Sequence, residues 1–168
     1  MTKPIDRRTV LAGCTQASLA LATGMLGSAL VNVTQAAEKT MTPGKDATPR
    51  QVAESYWRAE CAHDIEGVGR HYHSDAVFMP PGERLVGWPN IRKWYEEAFR
   101  QFPGLEVEIV HEVRQGNEAA LEWKAVLIDP AGVRHPLTGV NIVRVEGGKY
   151  REVRAYFDAS KLNVKTQS

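Results

Sequence analysis

The sequence has little cysteine and almost no excess of charge. Only Cys14 and Cys61 occur in 168 residues, and 21 basic side chains stand against 20 acidic ones. Two cysteines exclude a disulfide scaffold, and the charge balance argues against a nucleic-acid-binding protein, which needs a basic surplus. No Cys/His cluster has the spacing of a structural zinc site. The hydrophobic fraction of 43% and charged fraction of 24% are typical of an ordinary globular protein.

The first 36 residues are predicted to be an export signal. Arg7-Arg8 precede a weakly apolar run that glycine and hydroxyl residues dilute, and this resembles a twin-arginine signal. Val10 is a departure, because that motif usually has Phe there. A lipobox match at Cys14 is the alternative, but only five residues separate it from Arg8, too few for an apolar core. Small residues up to Ala36 favour cleavage near that position.

Cleavage there divides the chain into three further parts. Residues 37–47 are predicted to be a flexible leader, residues 48–162 a folded domain, and residues 163–168 a tail. The apolar run of the signal is too dilute for a transmembrane anchor, which needs about 20 strongly apolar residues. We therefore expect a periplasmic or secreted protein with no membrane span after the signal is removed.

The domain begins with a helical pattern. Thr48 and Gln51 can form a capping box around Pro49, and apolar residues follow at helical spacing through Tyr56 to Cys61. Asp64 can cap a short second helix, predicted to run through Val68 and Tyr72. A third helix follows Gly87. It carries one apolar stripe, formed by Ile91, Trp94, Tyr95, Ala98, Phe99 and Phe102. His63, His71 and His73 lie near helix ends and are predicted to be solvated or capping.

Strand patterns dominate the rest of the domain. Residues 75–79 predict a strand that Pro80-Pro81-Gly82 ends, and after Pro103 the apolar residues alternate with polar ones. The alternation predicts Val107, Ile109, His111 and Val113 on one face of the first long strand. We expect an α+β fold in which a cone-shaped, curved antiparallel sheet wraps around three N-terminal helices. The open mouth of such a cone suits a small lipophilic ligand.

From Thr48 to Leu162 the chain resembles the nuclear-transport-factor-two-like superfamily, and within it the SnoaL-like and ketosteroid-isomerase-like proteins. The resemblance is carried by the order and spacing of several short pieces, among them Ser74–Val77, Asn117–Ala120, Gly148-Lys149 and Arg154–Asp158. It implies the cone-shaped fold. Because this fold hosts isomerases, cyclases, dehydratases, epoxide hydrolases and non-catalytic binders, it does not by itself imply one activity.

Matched to ketosteroid isomerases, the sequence contains part of a catalytic site. The tyrosine that holds the oxyanion falls on Tyr56, the tyrosines that support it fall on Tyr95 and Tyr72, and the neutral acid falls on Asn141. The base falls on or beside Pro80, which cannot take a proton. Glu83 and His135 are the candidate replacements.

The same resemblance implies the lining of the pocket and argues against other family activities. An acid/base aspartate of SnoaL-type cyclases matches Ala155, and the charged residues of limonene-type epoxide hydrolases match Trp123, Ala125 and Ala155, all uncharged here. No metal or other cofactor is expected. The predicted substrate-binding residues are Phe78, Met79, Trp94, Leu121, Trp123, Ala125, Leu127, Ala155 and Phe157.

These observations leave three functional hypotheses. The first is an isomerase or lyase that acts beside the carbonyl of a lipophilic substrate, with Tyr56 and Asn141 as its oxyanion hole. The second is a binding module that holds an apolar ligand without chemistry. The third is a domain that associates through its sheet, because Val126, Val140 and Ile142 are apolar on the outer face and suggest a homodimer.

Overall fold

A computed structural model describes residues 42–162, so the export signal and the tail lie outside the described residues. Three helices precede or interrupt the first strands, and a meander of four long strands follows. The helices are α1 (Pro49–Cys61), α2 (Ile65–Arg70) and α3 (Trp88–Gln101). The strands are β1 (Tyr72–Met79), β2 (Leu85–Val86), β3 (Gly104–Gln115), β4 (Glu118–Ile128), β5 (Arg134–Glu146) and β6 (Lys149–Phe157), before a short 3-10 turn at Ala159–Leu162.

The six strands form one curved sheet in the order β2-β1-β6-β5-β4-β3. Hairpins join β3 to β6 in an antiparallel meander. The pairing of β1 with β6 is parallel, which corrects the expectation of a wholly antiparallel sheet. The reason is topological, because the chain passes through α3 and the whole meander before it returns beside β1. The α+β class is confirmed, with α1 lying against β3, β4 and β5, and α3 against β1 and β2.

The predicted helix starts are present as hydrogen-bonded caps. The Gln51 amide donates to Thr48 Oγ1 and the Thr48 amide donates to Gln51 Oε1, so the capping box is complete. Asp64 Oδ1 accepts from the Gly67 amide and caps α2. That helix ends before Tyr72, and the prediction that it would include Tyr72 is wrong. The backbone carbonyl of His71 accepts from the Tyr150 amide at 2.7 Å, which draws the following residues into the sheet.

A β-bulge at Val110 changes which side chains of β3 face inward. Ile109 pairs with Trp123 and His111 with Glu122, so two steps along β3 match one step along β4. The alternation of faces therefore shifts by one residue. His111 is exposed and Val113 is 63% exposed, contrary to the prediction, whereas Glu112 is half-buried opposite Leu121. Nothing in the alternating sequence marks the position of the extra residue.

Apolar side chains from α1, α3 and the inner face of the sheet form one core. Val52, Ile91, Leu121 and Val143 are almost completely buried within it. The described part of the predicted leader, residues 42–47, forms a turn beside α1 in which the Ala47 amide donates to the Gly44 carbonyl. Gly44 lies so close to Gly148 that a side chain at Gly148 would overlap it. Those leader residues therefore lie against the β5–β6 hairpin.

Candidate functional site

Three tyrosines from three different elements meet inside the domain. The Tyr56 hydroxyl of α1 lies 2.5 Å from the Tyr95 hydroxyl of α3, which lies 2.9 Å from the Tyr72 hydroxyl of β1. Their exposed fractions are 5%, 1% and 3% respectively. The structure thus brings together the tyrosine set that the sequence resemblance singled out. We call this set, with the adjacent Tyr150, the tyrosine cluster.

A carboxyl group that the sequence reasoning missed lies next to this cluster. Glu60 follows Tyr56 by one turn of α1 and is half-buried on the same helical face. Burial raises the pKa of Glu60 to about 7, although the nearby Tyr56 hydroxyl lowers that pKa in part. The signal was available in the sequence, because a glutamate four residues after an inward tyrosine shares its helical face. In the sequence alone, however, Glu60 is indistinguishable from a surface charge.

The three hydroxyls form a continuous chain. The Tyr95 oxygen is shared by Tyr56 and Tyr72, and in each of the two bonds either hydroxyl can be the donor. Burial is the main cause that raises the pKa of each of these phenols well above its ordinary value, so all three remain protonated donors.

Asn141 has a different partner. Trp123 Nε1 donates to Asn141 Oδ1 at 3.0 Å. The indole nitrogen is a donor only, so the amide oxygen faces it and the two N–H donors of Asn141 Nδ2 remain for other acceptors. Gly139 makes this arrangement possible, because a Cβ atom there would overlap the indole ring. Tyr56 and Asn141 are thus held by separate sets of bonds, on α1 and β5.

A cleft of about 400 Å³ opens where β1 ends and β6 continues. It is lined by Met79, Pro80, Pro81, Gly82, Arg154, Ala155, Tyr156 and Phe157. Three of these, Met79, Ala155 and Phe157, are among the predicted substrate-binding residues. Phe157 also contacts Trp123, with ring centroids 5.9 Å apart, so the cleft adjoins the Trp123–Asn141 pair. We call it the mouth cleft.

The remaining predicted lining residues are more deeply placed. The rings of Phe78 and Tyr95 are stacked with their centroids 5.7 Å apart, and the rings of Phe78 and Trp94 meet edge-on with centroids 5.0 Å apart. Together they form an aromatic wall beside the tyrosine cluster. Leu121 and Ala125 are buried in the core, and Leu127 is half-buried. A second groove of about 540 Å³ lies between residues 42–47 and residues of α1 that include Glu54 and Arg58.

The two candidate bases named from the sequence lie elsewhere. Glu83 is exposed in the turn between β1 and β2, and Pro80 beside it is buried. His135 is half-buried on β5, where its Nε2 lies 3.0 Å from Asp129 Oδ2 and its ring meets Phe102 edge-on. The hydrogen bond from His135 is the main cause that lowers the pKa of Asp129. We call the Asp129–His135 pair the rim pair.

His71 is the C-cap residue of α2, as one of its two predicted roles had it, but it is buried rather than solvated. Its exposed fraction is 0%, its Nδ1 lies 2.8 Å from the Gly67 carbonyl, and its Nε2 lies 2.9 Å from Ser55 Oγ. A carbonyl can only accept, so Nδ1 carries the proton and Nε2 accepts from Ser55. Burial lowers the pKa of His71. This pair joins α1 to the end of α2.

Within residues 42–162 no group of His, Cys, Asp and Glu side chains could hold a metal ion. No helix in the same range is long and apolar enough to cross a membrane.

Comparison with known proteins places the chain in a family. The model of the SnoaL-like domain matches residues 53–153. The chain belongs to the SnoaL-like family. The match covers α1 through most of β6 and therefore includes Tyr56, Glu60, Tyr95 and Asn141. No curated protein matches the chain by sequence.

Solved structures with the same fold share little of the sequence. A protein with a ketosteroid isomerase-like fold from Catenulispora acidiphila, in complex with trimethylamine, is 15% identical, with 69% of this chain and 91% of that chain covered at a TM-score of 0.61. TerC, co-crystallised with polyporic acid, is 16% identical, with coverages of 68% and 94% and a TM-score of 0.61. An LEH-like epoxide hydrolase from M. tuberculosis is 21% identical, with coverages of 67% and 84% and a TM-score of 0.58. These likenesses establish the fold of this SnoaL-like chain.

Proposed function

We propose that this SnoaL-like protein is an enzyme that moves a proton beside the carbonyl group of a small lipophilic substrate. The observation that carries the proposal is the chain of buried hydroxyls from Tyr72 through Tyr95 to Tyr56. Neutral donors inside an apolar core stabilise a developing enolate oxygen without a buried charge in the resting state. Each hydroxyl in such a chain polarises the next, which strengthens the last donor.

The surroundings of this chain support an apolar, carbonyl-bearing substrate. Phe78 and Trp94 supply flat apolar walls beside Tyr95. Met79 and Phe157 line an opening large enough for a small molecule. Asn141 keeps two N–H donors for a substrate oxygen, because its own oxygen is taken by Trp123. TerC was crystallised with polyporic acid, and by analogy we propose a ligand that likewise pairs apolar carbon with oxygen acceptors.

The activity can be tested without knowing the natural substrate. Wild-type protein is incubated in D₂O with cyclic enones and β,γ-unsaturated ketones, and NMR records α-proton exchange while absorbance records double-bond migration. Tyr56→Phe is expected to lower the rate by roughly 10²- to 10³-fold, because one oxyanion donor is lost. Glu97→Gln, at an exposed side chain of α3 that lines neither cavity, is the control and should keep the wild-type rate. Wild-type rates no faster than Tyr56→Phe would reject the proposal.

A non-catalytic binding module is the second candidate. Pro80 occupies the position where the family's base is expected. It is buried and has no group that can take a proton. In that case the Trp123–Phe157 contact should make tryptophan fluorescence respond to hydrophobic ketones or phenols. Saturable quenching without any proton exchange would favour the module over the enzyme.

We further propose that the protein is exported by the twin-arginine route and forms a homodimer through the outer face of the sheet. Arg7-Arg8 carry the first proposal, and replacing both with lysine should retain the protein in the cytoplasm. Val126, Val140 and Ile142, half-buried in a single chain, carry the second. A monomer by analytical ultracentrifugation would reject the dimer.

A further inference from the structure

The mouth cleft exists because two prolines end the pairing of β1 with β6. The last paired residues are Met79 and Arg154, and Pro80 and Pro81 have no N–H group with which to continue the ladder. β6 itself continues to Phe157 and stays paired with β5. Among the described strands, none pairs with the other edge of β6 beyond Arg154, and the cleft opens along this edge.

The cleft combines apolar walls with a single cation. Of the eight described residues that line it, Arg154 alone carries a charge, and Met79 and Phe157 are among its apolar neighbours. Glu83 and Asp158 flank the lining segments along the chain, but neither of these acidic residues lines the cleft. A cation beside apolar walls is complementary to a ligand that joins an anionic group to an apolar body.

The guanidinium group of Arg154 has hydrogen-bonding capacity that the chain does not use. Its Nε is buried 3.0 Å from Glu152 Oε1 but forms no hydrogen bond. Within residues 42–162, the terminal nitrogens Nη1 and Nη2 of Arg154 have no hydrogen-bond or ion-pair partner. Glu152 also lies 3.9 Å from Arg144, so two guanidinium groups share one carboxylate and one positive charge is left over. The planar fork of an arginine suits the two oxygens of a further carboxylate.

We propose that the mouth cleft binds a small lipophilic carboxylate, whose anionic group pairs with Arg154 and whose apolar part lies against Met79 and Phe157. As a statement about the substrate, the inference rests on the proposed function, and it adds a carboxylate to the carbonyl compound on which the enzyme acts. A cleft of about 400 Å³ is large enough for one such molecule. Arg154 then determines specificity, because an uncharged analogue of the same shape leaves its N–H groups without an acceptor.

The test measures binding of two probes, 4-oxo-4-phenylbutanoate and its methyl ester, which share an aryl ketone but differ in charge. Isothermal titration calorimetry at pH 7.5 should show that wild-type protein binds the carboxylate roughly 10-fold more tightly than the ester. Arg154→Gln should bind both probes with the affinity of the ester. Arg154→Lys should keep part of the preference, since it retains the charge but not the fork. The matched control Arg134→Gln removes the same charge at a residue that lines neither cavity, and should bind both probes as wild type does.

The outcomes separate the inference from the function on which it rests. If wild-type protein binds the two probes equally or binds neither, or if Arg154→Gln keeps the preference for the carboxylate, the inference is overturned whatever the proton-exchange assay shows. If the preference depends on Arg154 but no ketone exchanges protons, the proposed function fails and the cleft remains a binding site for lipophilic carboxylates. Retained ester binding shows that Arg154→Gln is folded. Should that variant bind neither probe, a wild-type preference that raised ionic strength does not weaken would overturn the inference.

Discussion

The tyrosine cluster and the rim pair affect their carboxyl groups in opposite ways. Beside the cluster, burial raises the pKa of Glu60 to about 7. At the rim, the hydrogen bond from His135 lowers the pKa of Asp129. In the sequence both residues are single acidic positions in ordinary helical or turn contexts. The difference shows that the partner and the surrounding water, not the residue type, decide which carboxyl group can exchange protons at neutral pH.

The largest stability effect should come from the middle of the hydroxyl chain. Tyr95→Phe leaves the buried Tyr56 and Tyr72 hydroxyls without their shared partner, at about 1–3 kcal/mol for each unsatisfied group. We expect a loss of about 2–4 kcal/mol in the free energy of unfolding, measured with urea. Tyr72→Phe removes only the end of the chain and should cost about 1 kcal/mol. Equal losses in the two variants would contradict a linear chain.

Glu60→Gln should make the protein more stable at high pH. The folded pKa of about 7 exceeds the ordinary value of 4.5, so the folded state binds more protons than the unfolded state in that window. The contribution of Glu60 to wild-type stability is therefore fully present below pH 4.5 and is lost as pH rises through 7. At pH 8 the variant should gain at most about 3 kcal/mol in its free energy of unfolding. Water around the half-buried side chain makes the gain smaller than this. Wild type and Glu60→Gln should have the same urea midpoint at pH 4. If their midpoints were also the same at pH 8, the raised pKa of Glu60 would be contradicted.

His71 should give the opposite dependence on pH. Burial lowers its pKa below 6.5, so the unfolded state takes up protons first and stability falls as pH drops from about 6.5 through the folded pKa. Ser55→Ala should cost about 1–3 kcal/mol at pH 7.5, because Nε2 of the buried ring loses its hydrogen-bond donor. Chemical denaturation at pH 7.5 and pH 5 measures both effects. The test is made in the Glu60→Gln background, where the opposing contribution of Glu60 is absent, and a stability that does not fall there between pH 7.5 and pH 5 would contradict the buried neutral ring.

The rim pair should matter least for stability. His135→Gln removes a partly exposed bond, and such pairs contribute about 0–1 kcal/mol. The pKa of Asp129 should rise toward its ordinary value in the variant, although the backbone amides of Ala131 and Val133 still donate to that carboxylate. A carboxyl NMR titration of Asp129 measures the change. If the pKa of Asp129 were the same in wild type and variant, His135 would not be the cause that lowers it.

Much of the fold was predictable from local patterns. The caps at Thr48 and Asp64 and the apolar stripe from Ile91 to Phe99 predicted α1, α2 and α3 near their observed positions. Tyr72 was assigned to the wrong element because its place depends on a backbone bond between His71 and Tyr150, 79 residues apart. The bulge at Val110 was not predictable either, because its neighbours alternate regularly.

Only the part of the site that the family resemblance grouped together could be predicted from the sequence. Tyr56, Tyr72 and Tyr95 are far apart in the chain, and no local pattern joins them. Their hydrogen bonds follow the resemblance, whereas their catalytic role stays a prediction. Glu60 was missed because a glutamate near the end of a helix usually faces water. Its half-buried position depends on the packing of α1 in the folded domain, which no local pattern shows.

The most direct test of the account is the titration of the Glu60 carboxyl group. Protein labelled with ¹³C at glutamate side chains is followed by NMR from pH 4 to pH 9, and the Glu60 signal is identified by its absence from Glu60→Gln. The account predicts a midpoint near pH 7 that rises further in Tyr56→Phe, because the hydroxyl that lowers it is gone. A midpoint near 4.5 in both proteins would contradict a carboxyl group whose pKa burial raises.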